Sequence, residues 1–185
     1  MLLAQTQSFR IDTSQKNISF SILQILGASF LLILCSYISI PLYFSRIPLS
    51  AQTFGVMLIG ATMGSRMGVL SVLAYLAEGC LGLPVFAGGH FGLMSLLGVK
   101  GGYIVGFILQ VYFVGYFMER QVSFQITKTL SILLISCALQ LSLGVLWLSL
   151  FVGLKSAMVM GLYPFIIGEV IKAISITTYL KAKNS

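Results

Sequence analysis

The chain has 185 residues, 58% hydrophobic and 8% charged, with a mean hydropathy of +1.02 and a formal net charge of +7. So little polar surface excludes a water-soluble domain of this size. The eleven Lys and Arg residues stand singly between apolar runs rather than in a patch, which argues against nucleic acid and for a membrane-topology signal.

Residues 1–17 are polar, and the first apolar run after them is long enough to span a bilayer, so no cleavable leader is expected. That run extends from Ile18 to about Phe44, ending near Pro41 and the turn Ser45-Arg46-Ile47-Pro48. A second runs from Pro48 to about Met63 and closes at Gly64-Ser65-Arg66; a third, Met67 to about Leu83, stops at Gly82 and Pro84. The stretch from Ala87 through Gly98 is too glycine-rich for a spanning helix. The fourth run is Gly101 to Met118, the fifth Leu130 to Val152 and the sixth Ala157 to Leu180. These predict an all-α membrane protein: one domain over 1–185, six transmembrane helices in one compact bundle, and a Gly-rich external loop between helices 3 and 4.

Orientation follows from the cations. With the amino terminus cytoplasmic, that side holds Arg10, Lys16, Arg66, Arg120, Lys128, Lys181 and Lys183, against Arg46, Lys100 and Lys155 outside. The excess places both termini in the cytoplasm. The Gly-rich stretch is then external, where it can line or cap a pocket.

Glu169 and Lys172 interrupt the last apolar run. A charge inside a bilayer costs roughly 2.5–3.5 kcal/mol on insertion scales, so two on one segment suggest a polar task. At i and i+3 they share a helix face, as a structural ion pair, a ligand clamp, or both. Cys35, Cys80 and Cys137 are far apart, with neither metal nor disulfide spacing, and read as packing residues.

Four separated segments carry a resemblance. They are Ile47-Pro-Leu-Ser-Ala-Gln-Thr-Phe-Gly-Val, Leu81-Gly-Leu-Pro-Val-Phe-Ala-Gly-Gly, Gly101-Gly-Tyr-Ile-Val-Gly-Phe and Pro164-Phe-Ile-Ile-Gly-Glu-Val-Ile-Lys-Ala. Together, over residues 30–180, they resemble the BioY family, the biotin-binding S components of energy-coupling factor (ECF) transporters. The resemblance implies a subunit of the bacterial plasma membrane that captures biotin outside and topples to deliver it inward. An ECF module of a transmembrane coupling protein and two ABC ATPases would supply the energy. No cofactor is expected in this chain itself, and the absence of a G-x-x-x-x-G-K-[ST] motif agrees that ATP would be used by partner subunits.

On that reading Lys172 is the natural partner for the biotin carboxylate, while Glu169 accepts from a ureido N–H or holds Lys172. Gly88 and Gly89 approach the ligand by backbone, and His90 either supplies a polar contact or faces solvent. Phe86 and Tyr103 are candidates either for apolar contact with the ring system or for plain packing, and Gln52 bonds to ligand or to a neighbouring helix. Relatives more often carry Asp where Glu169 stands, and some carry Asn after the Pro-Val-Phe-Ala run. Glu78 is either solvated near the external interface or paired with Lys172 in the empty site. The coupling protein is expected on the first helix at Gly27, Ala28 and Ser29, although the Ala-x-x-x-Ala form of the family is absent. Those glycines could equally serve contacts from Gly27 to Gly60 or Gly64.

Two alternatives come from other classes and a third from within the transporter reading. An intramembrane enzyme lacks a catalytic constellation, with one His and no intramembrane Asp. A proton-coupled secondary transporter using Glu169 would show internal repeats, and none is evident between residues 18–97 and 98–183. An S component for another vitamin or small carboxylate is the nearest rival.

Overall fold

The computed structural model describes residues 18–43, 45 and 47–184. The segment 1–17 with Arg10 and Lys16, and also Arg46, lie outside the described residues. In chain order the elements are α1 (Ile18–Tyr37), β1 (Ser39–Ile40), β2 (Leu49–Ser50), α2 (Gln52–Cys80), α3 (Leu93–Leu97), α4 (Gly101–Glu119), α5 (Ile126–Val152), α6 (Leu154–Gly161) and α7 (Tyr163–Asn184).

The first apolar run ends as helix at Tyr37 rather than near Phe44. Proline lacks an N–H and disfavours helix in the residue before it, so the chain leaves α1 ahead of Pro41. It pairs instead in a short antiparallel strap, with Ser39 opposite Ser50 and Ile40 opposite Leu49. The second run therefore becomes helical at Gln52 rather than Pro48.

α2 is a hairpin. Gly64 has φ 80° and ψ −178°, a conformation essentially confined to glycine, and it breaks the helix into arms 52–63 and 65–80. Tyr75 on the second arm bonds Gln52 on the first. In a straight helix those residues would stand about 34 Å apart. A Cβ on Gly68 would lie 3.7 Å from the Gly60 Cα, so the arms pack through glycines. With α1, α4, α5 and α7, the two arms make the six helical segments expected, and α1, α2 taken whole, α4, α5 and Leu154–Asn184 are each long and apolar enough to cross a membrane. The sixth apolar run is divided into a short separate helix, α6, and the longer α7.

One end of the bundle holds the Gly64 turn. There Glu119, at the end of α4, accepts from the Ser65 backbone N–H at 2.7 Å and from the Ser65 hydroxyl. A carboxylate at a helix start satisfies an orphan donor and suits the helix dipole. The opposite end gathers the strap, the outer ends of both α2 arms, residues 81–92, α3, α6 and the starts of α4 and α7. Arm 52–63 is only about 18 Å long against a hydrocarbon core of about 30 Å. Within residues 81–92, Val85, Phe86 and Ala87 are buried against the bundle while the flanking positions are exposed.

The core falls into three clusters. Leu32, Val56, Ile59, Tyr75 and Val111 join α1, α2 and α4; Met57, Val114, Leu133 and Ile176 join α2, α4, α5 and α7. Tyr103, Leu148, Ala157 and Phe165 pack α4, α5, α6 and α7 beneath the strap end. Leu23, Leu26 and Phe30 point outward from α1, as a lipid-facing helix requires.

Candidate functional site

At the strap end, a cavity opens among α2, α4, α5 and α7, with residues 86–90 along its side. Phe86, Ile104, Tyr103, Phe107, Leu141 and Phe165 supply its apolar wall. Its polar groups come from Ser50, Gln52, Thr53, His90, Ser95, Lys100, Gln140 and Glu169.

Glu169 is 3% exposed and lies in a polar ring that crosses from α7 to α2. Thr53 Oγ1 donates to Glu169 Oε1 at 2.7 Å, and Lys172 Nζ reaches the same oxygen at 2.8 Å. Lys172 Nζ also donates to Thr53 Oγ1 at 2.8 Å and to the Ser50 carbonyl at 2.6 Å. An ammonium has three N–H groups, so all the donors of Lys172 are engaged within the protein. Glu169 Oε2 receives the Cys137 thiol at 3.4 Å, a weak donor. One carboxylate oxygen thus takes two strong donors and the other only the weak thiol.

Gln52 touches the cavity, but its amide is tied to protein. Its Nε2 donates to the Tyr75 hydroxyl and its Oε1 accepts from Ser50 Oγ, while the Tyr75 hydroxyl donates to the Val85 carbonyl at 2.9 Å. This chain of bonds holds residues 85–90 against the hairpin. Phe86 is packed edge-on against Tyr75, ring centroids 5.5 Å apart, and lies over Gly79, where a Cβ would collide with its ring.

Gly88 and Gly89, at φ 83° and 72°, form the tight turn that returns His90 to Phe86. Phe86 N–H donates to the His90 carbonyl at 3.0 Å, and Gly89 N–H to the Phe86 carbonyl at 2.9 Å. The glycines shape this turn without lining the cavity; Ala87 and His90 line it.

Tyr103 is buried, and its hydroxyl donates to the Gly161 carbonyl at 2.9 Å, anchoring α6. Gln140 Nε2 donates to the Tyr103 carbonyl at 3.2 Å, while its buried Oε1 has no partner among the described residues. Burial pushes the Lys100 ammonium below its ordinary range. His90 is also held below its ordinary value, first by the charge of Lys100 and then by burial.

The structure thus brings Glu169, Gln52, Phe86, His90 and Tyr103 to one cavity and sets Lys172, Gly88 and Gly89 behind its lining. Sequence reasoning missed Ser50, Thr53, Ser95, Lys100 and Gln140. Thr53 and Gln140 are polar residues inside apolar runs, a signal that was present; Lys100 carried only its topology charge. Cys137 is also more than packing, since its thiol meets Glu169. Glu78 is not paired with Lys172: it is partly exposed and accepts the Ser29 hydroxyl, tying α1 to α2.

The expected docking residues divide between faces. A Cβ added to Gly27 would meet nothing within 4 Å, so this glycine does not approach Gly60 or Gly64, whereas Ala28 and Ser29 are buried against the bundle. Gly27 and Ala28 border a second groove between α1, α2 and α7, which also meets Gln24, Tyr179 and Lys183. Among the described residues no cluster of His, Cys, Asp and Glu could hold a metal.

A family model described as the BioY family matches residues 7–184. A probable biotin transporter BioY of Pyrococcus horikoshii is 37% identical over 127 residues, 69% of this chain and 74% of that one. Biotin transporter BioY2 of Lactococcus lactis is 31% identical over 156 residues, 83% and 84% of the two chains. The biotin transporter BioY of Thermotoga maritima is 34% identical over 145 residues, 78% and 83%. Among solved structures, the crystal structure of the S-component for biotin from an ECF-type ABC transporter superposes with a TM-score of 0.78 at 26% identity, covering 91% of this chain and 94% of that one.

Proposed function

The chain belongs to the BioY family, and we propose that it is the biotin-binding S component of an ECF-type uptake transporter, a membrane-embedded carrier subunit and not an enzyme. The observation that carries this reading is the apolar cavity with a buried carboxylate, Glu169, one of whose oxygens meets only a thiol. Biotin offers the matching chemistry: a ureido head with N–H donors, an apolar thioether ring and an anionic tail. Pockets for such molecules are mostly apolar with a few placed polar groups. A ureido N–H reaching Glu169 Oε2 replaces a weak thiol donor with a charge-assisted hydrogen bond. Phe86, Tyr103 and Phe107 would cover the ring.

Within this reading the cavity opens to the outside and both termini are cytoplasmic, in a bacterial plasma membrane. Energy comes from a separate module of a coupling protein and two ABC ATPases, which docks near Gly27 on α1. Equilibrium binding of biotin to the purified chain in detergent, with thiamin and riboflavin as competitors, tests the assignment. Tight biotin binding that neither vitamin displaces supports it; folded protein that fails to bind biotin overturns it.

A further inference from the structure

The charges around the cavity do not balance. Glu169 faces it with its charge already countered from behind by Lys172. Lys100, also in the lining, forms no ion pair with any carboxylate among the described residues. The cavity therefore carries one uncompensated positive charge.

Lys100 is also placed where a cation is unfavourable. It is the N-cap residue of α4, at the positive end of the helix dipole, where an anion is preferred. It is partly buried, and His90 beside it is a second group that turns cationic on protonation. A bound anion would relieve all of these terms together. Lys172, the cation that sequence reasoning matched to the ligand carboxylate, has its three donors committed to Ser50, Thr53 and Glu169.

We infer that Lys100 is the carboxylate-binding residue of the site, holding the acid end of the ligand while Glu169 takes its hydrogen-bonding head. This rests on the biotin reading and adds an orientation to it. It also divides the two cations by task, since Lys172, from behind the lining, holds Glu169 in position, and Lys100 selects an anionic ligand over a neutral one.

The test is equilibrium binding of biotin and of its neutral carboxamide to the full chain in detergent, for the wild type, Lys100→Met and Lys100→Arg. The wild type should prefer the acid on the order of ten- to a hundredfold, the range of a charge-assisted contact. Lys100→Met should bring that ratio close to one, mainly by weakening the acid, and Lys100→Arg should retain most of it. A merely structural role for Lys100 would weaken both ligands alike and leave the ratio standing. Lys100→Gln replaces the Met variant if the latter does not fold. An undiminished acid preference in a folded Lys100→Met or Lys100→Gln variant overturns the inference, as does a wild type that binds both ligands equally. Wild-type protein that binds neither ligand defeats the biotin reading itself, and the inference with it.

Discussion

Thr53 and Glu169 lie 116 positions apart and are joined by a 2.7 Å hydrogen bond that links the first arm of α2 to α7. The same Thr53 oxygen accepts from Lys172, so one hydroxyl orders both charges of the site. Replacing it by the near-isosteric Val removes a donor to a buried carboxylate and an acceptor for an ammonium. Hydrogen bonds to charged groups contribute about 1.5–3 kcal/mol. Thr53→Val should therefore weaken biotin binding by roughly ten- to a hundredfold with the bundle intact, as titration calorimetry beside circular dichroism would read.

Breaking the Glu169–Lys172 pair from one side should be worse for the fold than removing both charges. Lys172→Met leaves a carboxylate buried without its counter-ion, a change that typically costs about 3–5 kcal/mol. The double variant Glu169→Gln/Lys172→Met removes that penalty. Thermal unfolding of ligand-free protein should rank the wild type and the double variant above Lys172→Met, while biotin binding is impaired in both variants because each alters Glu169.

The Glu169–Lys172 pair was legible in the sequence because two charges inside an apolar run have few explanations. The saturation of Lys172 was not, since it depends on the Ser50 carbonyl and Thr53, which only the strap and the hairpin bring beneath α7. Lys100 escaped for a related reason: at a helix start it was indistinguishable from a topology charge until the fold placed it in the same cavity lining as Glu169. The hairpin was legible, because Gly64-Ser65-Arg66 divides two apolar runs. α1, apolar around its circumference, showed no face, so Gly27 was grouped with Ala28 and Ser29 although they point in different directions. Gly88 and Gly89 were visible as backbone freedom, and that freedom builds the turn behind the cavity wall.

The Gly64 turn gives a stability prediction independent of the site. An alanine there must adopt a positive φ with extended ψ, a strain of about 1–3 kcal/mol, and its Cβ would collide with the Glu119 carboxylate that caps the second arm. Gly64→Ala should lower the unfolding temperature more than Gly27→Ala, whose Cβ meets nothing within 4 Å. A differential scan in the same detergent decides it.

Glu78 should matter to α1 and not to the ligand. Glu78→Ala leaves the buried Ser29 hydroxyl without its acceptor, so thermal stability should fall, by about 1–3 kcal/mol for an unsatisfied buried group. Biotin affinity should stay within about twofold of the wild type, or about 0.4 kcal/mol. A clear rise in affinity would instead mean that Glu78 competes for a cation of the site.

The ligand-free protein should lose stability on acidification through His90. Its folded-state pKa lies below the ordinary value of about 6.5, because the Lys100 charge and then burial disfavour the imidazolium. Below that value the unfolded chain binds the proton more readily than the folded one, so stability falls as pH drops through it and is fully present above it. His90 is exposed, so the effect should be small, and it should diminish further when Lys100→Met removes the main cause. Unfolding temperatures between pH 8 and about pH 5 should decline less in His90→Gln than in the wild type. Equal declines would show that other groups set the acid limb and that the charge of Lys100 is not felt at His90.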